Sequence, residues 1–316
     1  MFVQWNKELA CALSDASYAL GRLIRCVKHS PNIHSLYNLF LIQEGTNAAW
    51  LDGKNISFAE TCMYLGDTSI ETFSKDVKSI DDYLSVTDGN QYVLDDKKYF
   101  QDILSALKIN CFDKTEKNTL DLLFLSFSNQ KRVPDQPLVI KMAINYWNAF
   151  KLIGEKPYCD RIVSLWHNRL VNTTNRSDVL TMGMSKFFTL SGNNLIYRTF
   201  KEGHNKDFQP WVKFFLSGAL WSANYYVKSL DNSDQEASYL FKKYGHKVRE
   251  GITYTLQWLL SNPYVRVYNL CETYNLSYST PNRICNKMLD GGDLQYATLQ
   301  KRDRVFVSPA LLRIWQ

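Results

Sequence analysis

The sequence predicts a mainly α protein, a helical bundle followed by a small C-terminal winged helix-turn-helix. Three observations carry that prediction. Apolar residues recur at helical spacing along most of the chain, as in Leu9, Ala12, Leu13, Ala16, Ala19, Leu20, Leu23 and Ile24. The segment from 138 to about 153 is apolar nearly all round, as befits a helix at the centre of a bundle. From Pro263 onward the pattern breaks into short elements separated by turn residues.

A first helix is expected over 7–28. Ser30-Pro31-Asn32 turns the chain into a second. Shorter helices follow at 57–66 and 69–84, and Asp88-Gly89-Asn90 signals a turn. Helices resume at 95–107 and 117–128. The stretch "SNQKRVPDQP" reads as a loop, and the central helix follows it. Tyr146 and Trp147 lie on that helix and are read as core. Further helices are expected at about 158–171, 177–189 and 193–202, then two long ones at about 208–231 and 233–260. No internal repeat interrupts this series.

The last segment has its own grammar. "RVYNLCETYN" reads as one helix and "LSY" as a tight turn. Ser279, Thr280 and Pro281 read as an N-cap followed by a proline near the first helical turn. The second helix, "NRICNKMLD", stops at Gly291-Gly292. "LQYAT" and "RVFVSP" read as the strands of a wing, with Lys301, Arg302 and Arg304 near its tip. Residues 263–316 hold seven basic side chains (Arg266, Arg283, Lys287, Lys301, Arg302, Arg304, Arg313) against four acidic ones (Glu272, Asp290, Asp293, Asp303), a net +3.

Composition excludes several classes. Apolar residues make up 45% of the 316 and aromatics 14%, so a sizeable core forms and global disorder is excluded. The net charge of +6 permits a nucleic-acid partner without requiring one, since a solvated surface accounts for it equally. No apolar run reaches the length of a membrane span, and the opening residues lack a basic segment followed by an apolar core. The seven cysteines are odd in number, scattered and without a Cys-x-x-Cys pair. They read as reduced, mostly buried thiols of a cytoplasmic protein, with no metal site.

Several stretches, in order and spacing, resemble the Fic (Fido) family, specifically its larger members with an N-terminal inhibitory-helix region and a C-terminal winged helix. They are "ALGRLIRCVKHSPNIHSLYNLFLIQEGTNAAWLDGKNISFAE" near the start, "PLVIKMAINYWNAFKLI" at the central helix, and "LSGNNLIYRTFKEGHNKDFQPWVKFFLSGALWSA" beyond it. Together with the winged helix they cover nearly the whole chain. The resemblance implies an N-terminal helical region over 1–110, a Fic core over 111–260 and the winged unit over 261–316. It also places Glu44 on a family glutamate, Ala48 on the serine of the inhibitory helix, Asp52 on the inhibitory glutamate and Gly53 on the glycine after it.

In the family, the central helix leads into His-Pro-Phe-x-Asp/Glu-Gly-Asn-Gly-Arg. The histidine takes a proton from a target hydroxyl, which then attacks the α-phosphate of ATP. The acidic residue holds Mg²⁺, the Gly-Asn-Gly backbone nests the phosphates and the arginine grips them. Here the stretch is "IGEKPYCDRIV". Gly154 stands for the histidine, Asp160 for the metal ligand and Arg161 for the first arginine, and both motif glycines are missing. A loop without glycine does not readily form a nest. The inhibitory segment has changed in parallel: Asp52 is shorter than glutamate, and its expected partner position falls near Leu165 or Trp166. The segment "LKINCFDKTEKN" is too short for the hairpin that holds the target peptide in that family.

Two functions therefore remain. In the first, a degenerate Fic fold with no catalytic residue and no cofactor serves as a binding or regulatory module. In the second, a divergent enzyme keeps ATP, Mg²⁺ and a nucleotidyl transfer resembling protein AMPylation. Asp160 and Arg161 could bind a nucleotide but read better as helix-start residues, the acid favoured there by the helix dipole, and Asp52 as a structural remnant near a helix end. His167 reads as a surface or half-buried histidine, with a displaced base as the alternative, and His204 and His246 as exposed. If the winged unit binds DNA, Ser279 and Thr280 reach phosphates, Asn282, Arg283 and Asn286 read base edges with Lys287 beside them, and Lys301, Arg302 and Arg304 lie on the wing, Arg302 and Arg304 holding the backbone or a minor groove. If it does not, it packs against a protein partner or a second copy.

Overall fold

The computed structural model of the protein describes residues 4–66, 73–87, 95–109, 114–131, 136–175, 182–245, 249–298 and 304–316. The helices are α1 Lys7–His29, α2 Ile33–Leu51, α3 Phe58–Gly66, α4 Lys75–Lys78, α5 Ile80–Thr87, α6 Asp96–Ala106, α7 Lys114–Lys131 and α8 Leu138–Ile153. They continue with α9 Cys159–Asn175, α10 Ser185–Thr189, α11 Asn193–Lys201, α12 Phe208–Tyr244 and α13 Arg249–Ser261. After the strand β1 Tyr264–Arg266 come α14 Val267–Tyr274, α15 Ser279–Asp290, β2 Gln295–Tyr296, β3 Val305–Val307 and α16 Pro309–Trp315. By contact the chain divides into two units. One comprises 1–25, 44–55 and 79–226; the other comprises 26–43, 56–78 and 227–316.

The first unit is built around α8. Its residues Val139, Ile140, Met142, Ala143, Ile144, Tyr146, Trp147, Ala149, Phe150 and Ile153 are all buried, as its all-round apolarity demands. An aromatic cluster fills the space beside it. Phe188 stacks on Tyr197 at 4.4 Å, and Trp211 meets Phe150 edge-on at 5.0 Å. The Trp211 indole donates to the Ala143 carbonyl at 2.8 Å, so the largest ring in the cluster buries no orphan donor.

The second unit carries the winged helix-turn-helix. Its antiparallel sheet has the order β1-β3-β2, with Val265 opposite Phe306 and Tyr296 also opposite Phe306. The helix α14 ends at Asn275, which turns the chain in the left-handed region at φ 51°. The helix α15 then buries Pro281, Ile284, Cys285 and Met288, a stripe at helical spacing. Trp315 of α16 is fully buried, edge-on to Phe40 at 4.9 Å, with its indole donating to Ser233 Oγ at 3.1 Å.

Several elements differ from the sequence expectation. The helix expected over 69–84 is two, α4 and α5, separated at Ser79, a residue that competes for its neighbours' backbone bonds. Residues 67–72 and the Asp88-Gly89-Asn90 turn lie outside the described residues. The helix α7 runs on through Lys131, because Asn129, Gln130 and Lys131 continue the helix rather than opening the loop. The expected break near 232 is absent. Ser233 is buried and takes the Trp315 indole bond instead of capping, so α12 continues to Tyr244, before Gly245. Of the helix expected over 177–189 only α10 is described. Arg266, expected to open the first helix of this unit, ends the strand β1 instead, paired with Val305, and α14 begins one residue later at Val267. The helix α15 begins at Ser279 itself and has no side-chain cap bond. The helix α16 was not expected, although Ser308 caps it and Pro309 occupies its first turn. All the described cysteines are free thiols. Cys62, Cys159 and Cys285 are buried, Cys26 and Cys271 half-buried and Cys11 exposed, while Cys111 lies outside the described residues. No helix among the described residues is long and apolar enough to cross a membrane.

Candidate functional site

The helix α8 closes at Gly154, in helical geometry at φ −55° and ψ −36°. Its missing side chain is a packing requirement. A Cβ there would lie 2.6 Å from the Lys201 carbonyl oxygen and 2.5 Å from that of Phe150. The chain then turns through Glu155–Tyr158 and starts α9. Helix starts leave N–H groups without intrahelical partners, and their dipole favours an anion. Here that anion is a side chain of the protein. Asp52 Oδ1 accepts from the Asp160 N–H at 2.9 Å, and Oδ2 accepts from the Arg161 N–H at 3.2 Å and from Arg161 Nε at 2.9 Å. Arg161 Nη2 also donates to the Pro157 carbonyl at 2.6 Å, which folds the guanidinium onto the turn. Asp52 follows directly on α2, its N–H bonded to the Ala48 carbonyl at 3.0 Å. Gly53, at φ +87°, then takes the left-handed turn that lets the chain leave. Ala48 is completely buried.

Asp160 is also committed. One carboxylate oxygen accepts from the Tyr197 hydroxyl, the other from Lys201 Nζ at 2.5 Å. Lys201 bonds the Leu51 carbonyl at 3.1 Å as well. Two acidic side chains, Asp52 and Asp160, thus meet two basic ones, Arg161 and Lys201, in a buried cluster. Burial and the neighbouring Asp160 carboxylate push Asp52 up to about 6, against Lys201 and Arg161. Both of its oxygens accept hydrogen bonds, as a carboxylate in a paired cluster does. Burial acts to lower Lys201, but Asp160, Cys159 and Asp52 outweigh it and raise the ammonium above its ordinary value.

A second polar group lies in the same unit. Glu44 is buried and accepts from the Ser185 hydroxyl at 2.6 Å and the Ser164 hydroxyl at 2.9 Å. Burial raises its carboxyl, and the serine bonds offset this in part. Gly183 makes the room: a Cβ there would collide with both Glu44 Oε2 and the Tyr226 hydroxyl. His167 is 3% exposed, edge-on to Tyr146 at 4.8 Å. Burial lowers it to about 3, with a hydrogen bond to the Met142 backbone opposing, and Nε2 has no partner among the described residues. The expectation of a surface or half-buried histidine is corrected, because α9 is buried on nearly every side.

At the position where the resemblance puts the partner of Asp52, Leu165 and Trp166 are core residues, and Asp52 pairs with Arg161. Lys201 and Tyr197 were missed, since the sequence carries them 41 and 37 residues from Asp160. Their signal was the i, i+4 pair on the buried face of α11.

A cleft of about 510 Å³ opens beside Gly154, bordered by Lys151, Lys156, Phe200, Gly203 and Lys206. It lies at the C-terminal ends of α8 and α11, and its lining carries Lys151, Lys156, Lys201 and Lys206 against Glu155 and Glu202. Among the described residues no group of three or more His, Cys, Asp or Glu side chains is arranged to hold a metal.

In the winged unit, α15 presents one polar face. Ser279, Arg283 and Lys287 are exposed, and Thr280, Asn282 and Asn286 half-exposed. Asn286 Nδ2 donates to Asn282 Oδ1 at 3.3 Å. Arg304 is exposed and donates to the Tyr296 hydroxyl at 2.7 Å. Lys301 and Arg302 lie outside the described residues.

No protein-family model and no curated protein matches the chain. A solved structure does. The chain resembles the crystal structure of a Fic family protein from Desulfovibrio desulfuricans G20, with a TM-score of 0.52 and 10% identity, over 96% of this chain and 97% of that one. At that identity the likeness is one of fold alone.

Proposed function

We propose that this chain is a Fic-fold protein without nucleotidyl transfer, acting as a binding module that docks on duplex DNA through its winged helix-turn-helix. The observation that carries the DNA reading is the outward face of α15. Its polar and basic side chains lie on one side, while Pro281, Ile284, Cys285 and Met288 are buried on the other. A helix of this build offers its first turns to base edges and Lys287 to the backbone.

The Fic resemblance implies ATP with Mg²⁺ at the start of α9, and the residues there do not fit that group. The two N–H groups that would face a phosphate already bond Asp52, and both oxygens of Asp160 already have donors. The position of the family histidine has no room for a side chain. The alternative reading, a divergent nucleotidyltransferase, needs all three arrangements undone.

Two measurements on the full chain separate the readings. Fluorescence anisotropy with a labelled duplex should show binding at low salt that Arg283→Ala and Lys287→Ala weaken. Absence of binding, or indifference to both changes, would leave α15 a packing surface. Incubation with labelled ATP, Mg²⁺ or Mn²⁺ and a lysate should label no protein, with the wild type or with Gly154→His. Label transfer abolished by changing Asp160 and Arg161 would establish the enzyme reading instead.

A further inference from the structure

Three side chains form a column across the β2–β3 hairpin. Phe306 is buried at its base. Tyr296, its partner in the antiparallel register, lies over it with ring centroids 5.5 Å apart. Arg304 precedes Phe306 by two residues, so strand periodicity places it on the same face as a diagonal neighbour of Tyr296. Its guanidinium stands 5.0 Å from the Tyr296 ring centroid, and Nη1 donates to the Tyr296 hydroxyl at 2.7 Å. The column therefore runs from the core, through a ring that is 46% exposed, to a cation at the surface.

An exposed arginine normally samples many rotamers, and ordering it on a partner costs free energy. Stacking and the hydroxyl bond restrict this one beforehand. The restriction is anchored: Tyr296 is held between Phe306 and the hairpin, whose pairing extends through the Ala297 N–H to the Val305 carbonyl at 2.8 Å. A guanidinium held in this way suits a phosphate group, which it grips through two parallel bonds. We propose that Arg304 is a preorganised contact to the DNA backbone and that Tyr296 is its positioning residue. The assignment rests on the DNA reading above and adds to it a residue with no charge and no contact of its own to the duplex.

The test is a binding series over increasing KCl, with full-length protein and a labelled random-sequence duplex. The variants are Arg304→Ala, Tyr296→Ala, Tyr296→Phe and the Tyr296→Ala/Arg304→Ala pair, with Arg283→Ala on α15 as reference. Arg304→Ala should flatten the log–log salt dependence by about 0.9, the loss of one phosphate contact. Tyr296→Ala should weaken binding about fivefold while leaving the slope nearly unchanged, because the cation remains. Tyr296→Phe keeps the stack and should recover most of that loss. In the Arg304→Ala background, Tyr296→Ala should do nothing further. A Tyr296→Ala effect of equal size with and without Arg304 would overturn the inference, as would wild-type affinity in Tyr296→Ala. If the alanine variant misfolds, Tyr296→Leu, which keeps an apolar cover over Phe306 but removes both the ring and the hydroxyl, decides the same point in the two backgrounds: a loss confined to the Arg304 background supports the inference, and a loss equal in both counts against it. Where the wild type binds and Arg283→Ala weakens it, only the Tyr296 role is at stake. Where no variant including the wild type binds, the DNA reading itself falls.

Discussion

Asp52 shows what a single side chain can substitute for. A carboxylate at the start of α9 supplies charge where the dipole favours it and satisfies two N–H groups that nothing within the helix can. Asp52→Ala would strand the buried Arg161 and both N–H groups, so a loss of about 3–5 kcal/mol is expected, read by chemical denaturation. A loss under about 1 kcal/mol would show that the cluster contributes nothing net. His167 gives the pH counterpart. Unfolded, it takes a proton near 6.5; folded, only near 3. Between those values the unfolded chain binds more protons, so this group's contribution to stability is lost as pH falls. From about pH 7.5 to about pH 5, the wild type should lose about 2 kcal/mol more than His167→Phe does. Equal losses would place a charged or exposed imidazole in the fold. At this scale the sequence was partly legible. Gly154 stood out because a histidine was expected there, but its close approach to Lys201 was not visible, since the two meet only through the packing of α8 and α11.

Elements were legible where periodicity is local. The continuous apolarity of α8 and the stripe of α1 identify themselves from neighbouring residues. The expectation of two helices at about 208–231 and 233–260 fails at 232, where Ser233 is held inside α12 by a bond from the distant Trp315 that local periodicity does not reveal. The helix α16 was overlooked although Ser308 and Pro309 announce it; its shortness gave periodicity little to work on. Its stability is a matter of docking. Among the described residues Trp315 fills the space beside Phe40 and accepts at its carbonyl from Gln43 Nε2. Trp315→Ala should therefore cost about 3–5 kcal/mol in urea unfolding, the range for emptying an aromatic site. Ser308→Ala should cost only about 1 kcal/mol, the value of a cap. The reverse order would mean that α16 is held by its own start rather than by its tryptophan.

For the molecule as a whole, the question is whether its positive charge acts locally or as a diffuse field. The chain carries +6, and residues 263–316 account for +3 of it. A diffuse polycation and a docked winged helix both bind DNA at low salt, but they differ in which charges matter. Counterion release counts phosphates contacted, at a slope of about −0.9 each. Lys287 and Arg304 alone predict about −1.8 in log affinity against log salt, and Lys301 and Arg302 would take it to about −3.6. Arg22 and Arg25, exposed on α1, are equally charged and belong to the other compact unit. Replacing both with glutamine should leave the slope unaltered, whereas Lys287→Ala with Arg304→Ala should lower its magnitude by nearly two. Equal responses from the two pairs would make the binding a property of net charge. The polar face of α15 would then be surface, and the module's partner would have to be sought elsewhere.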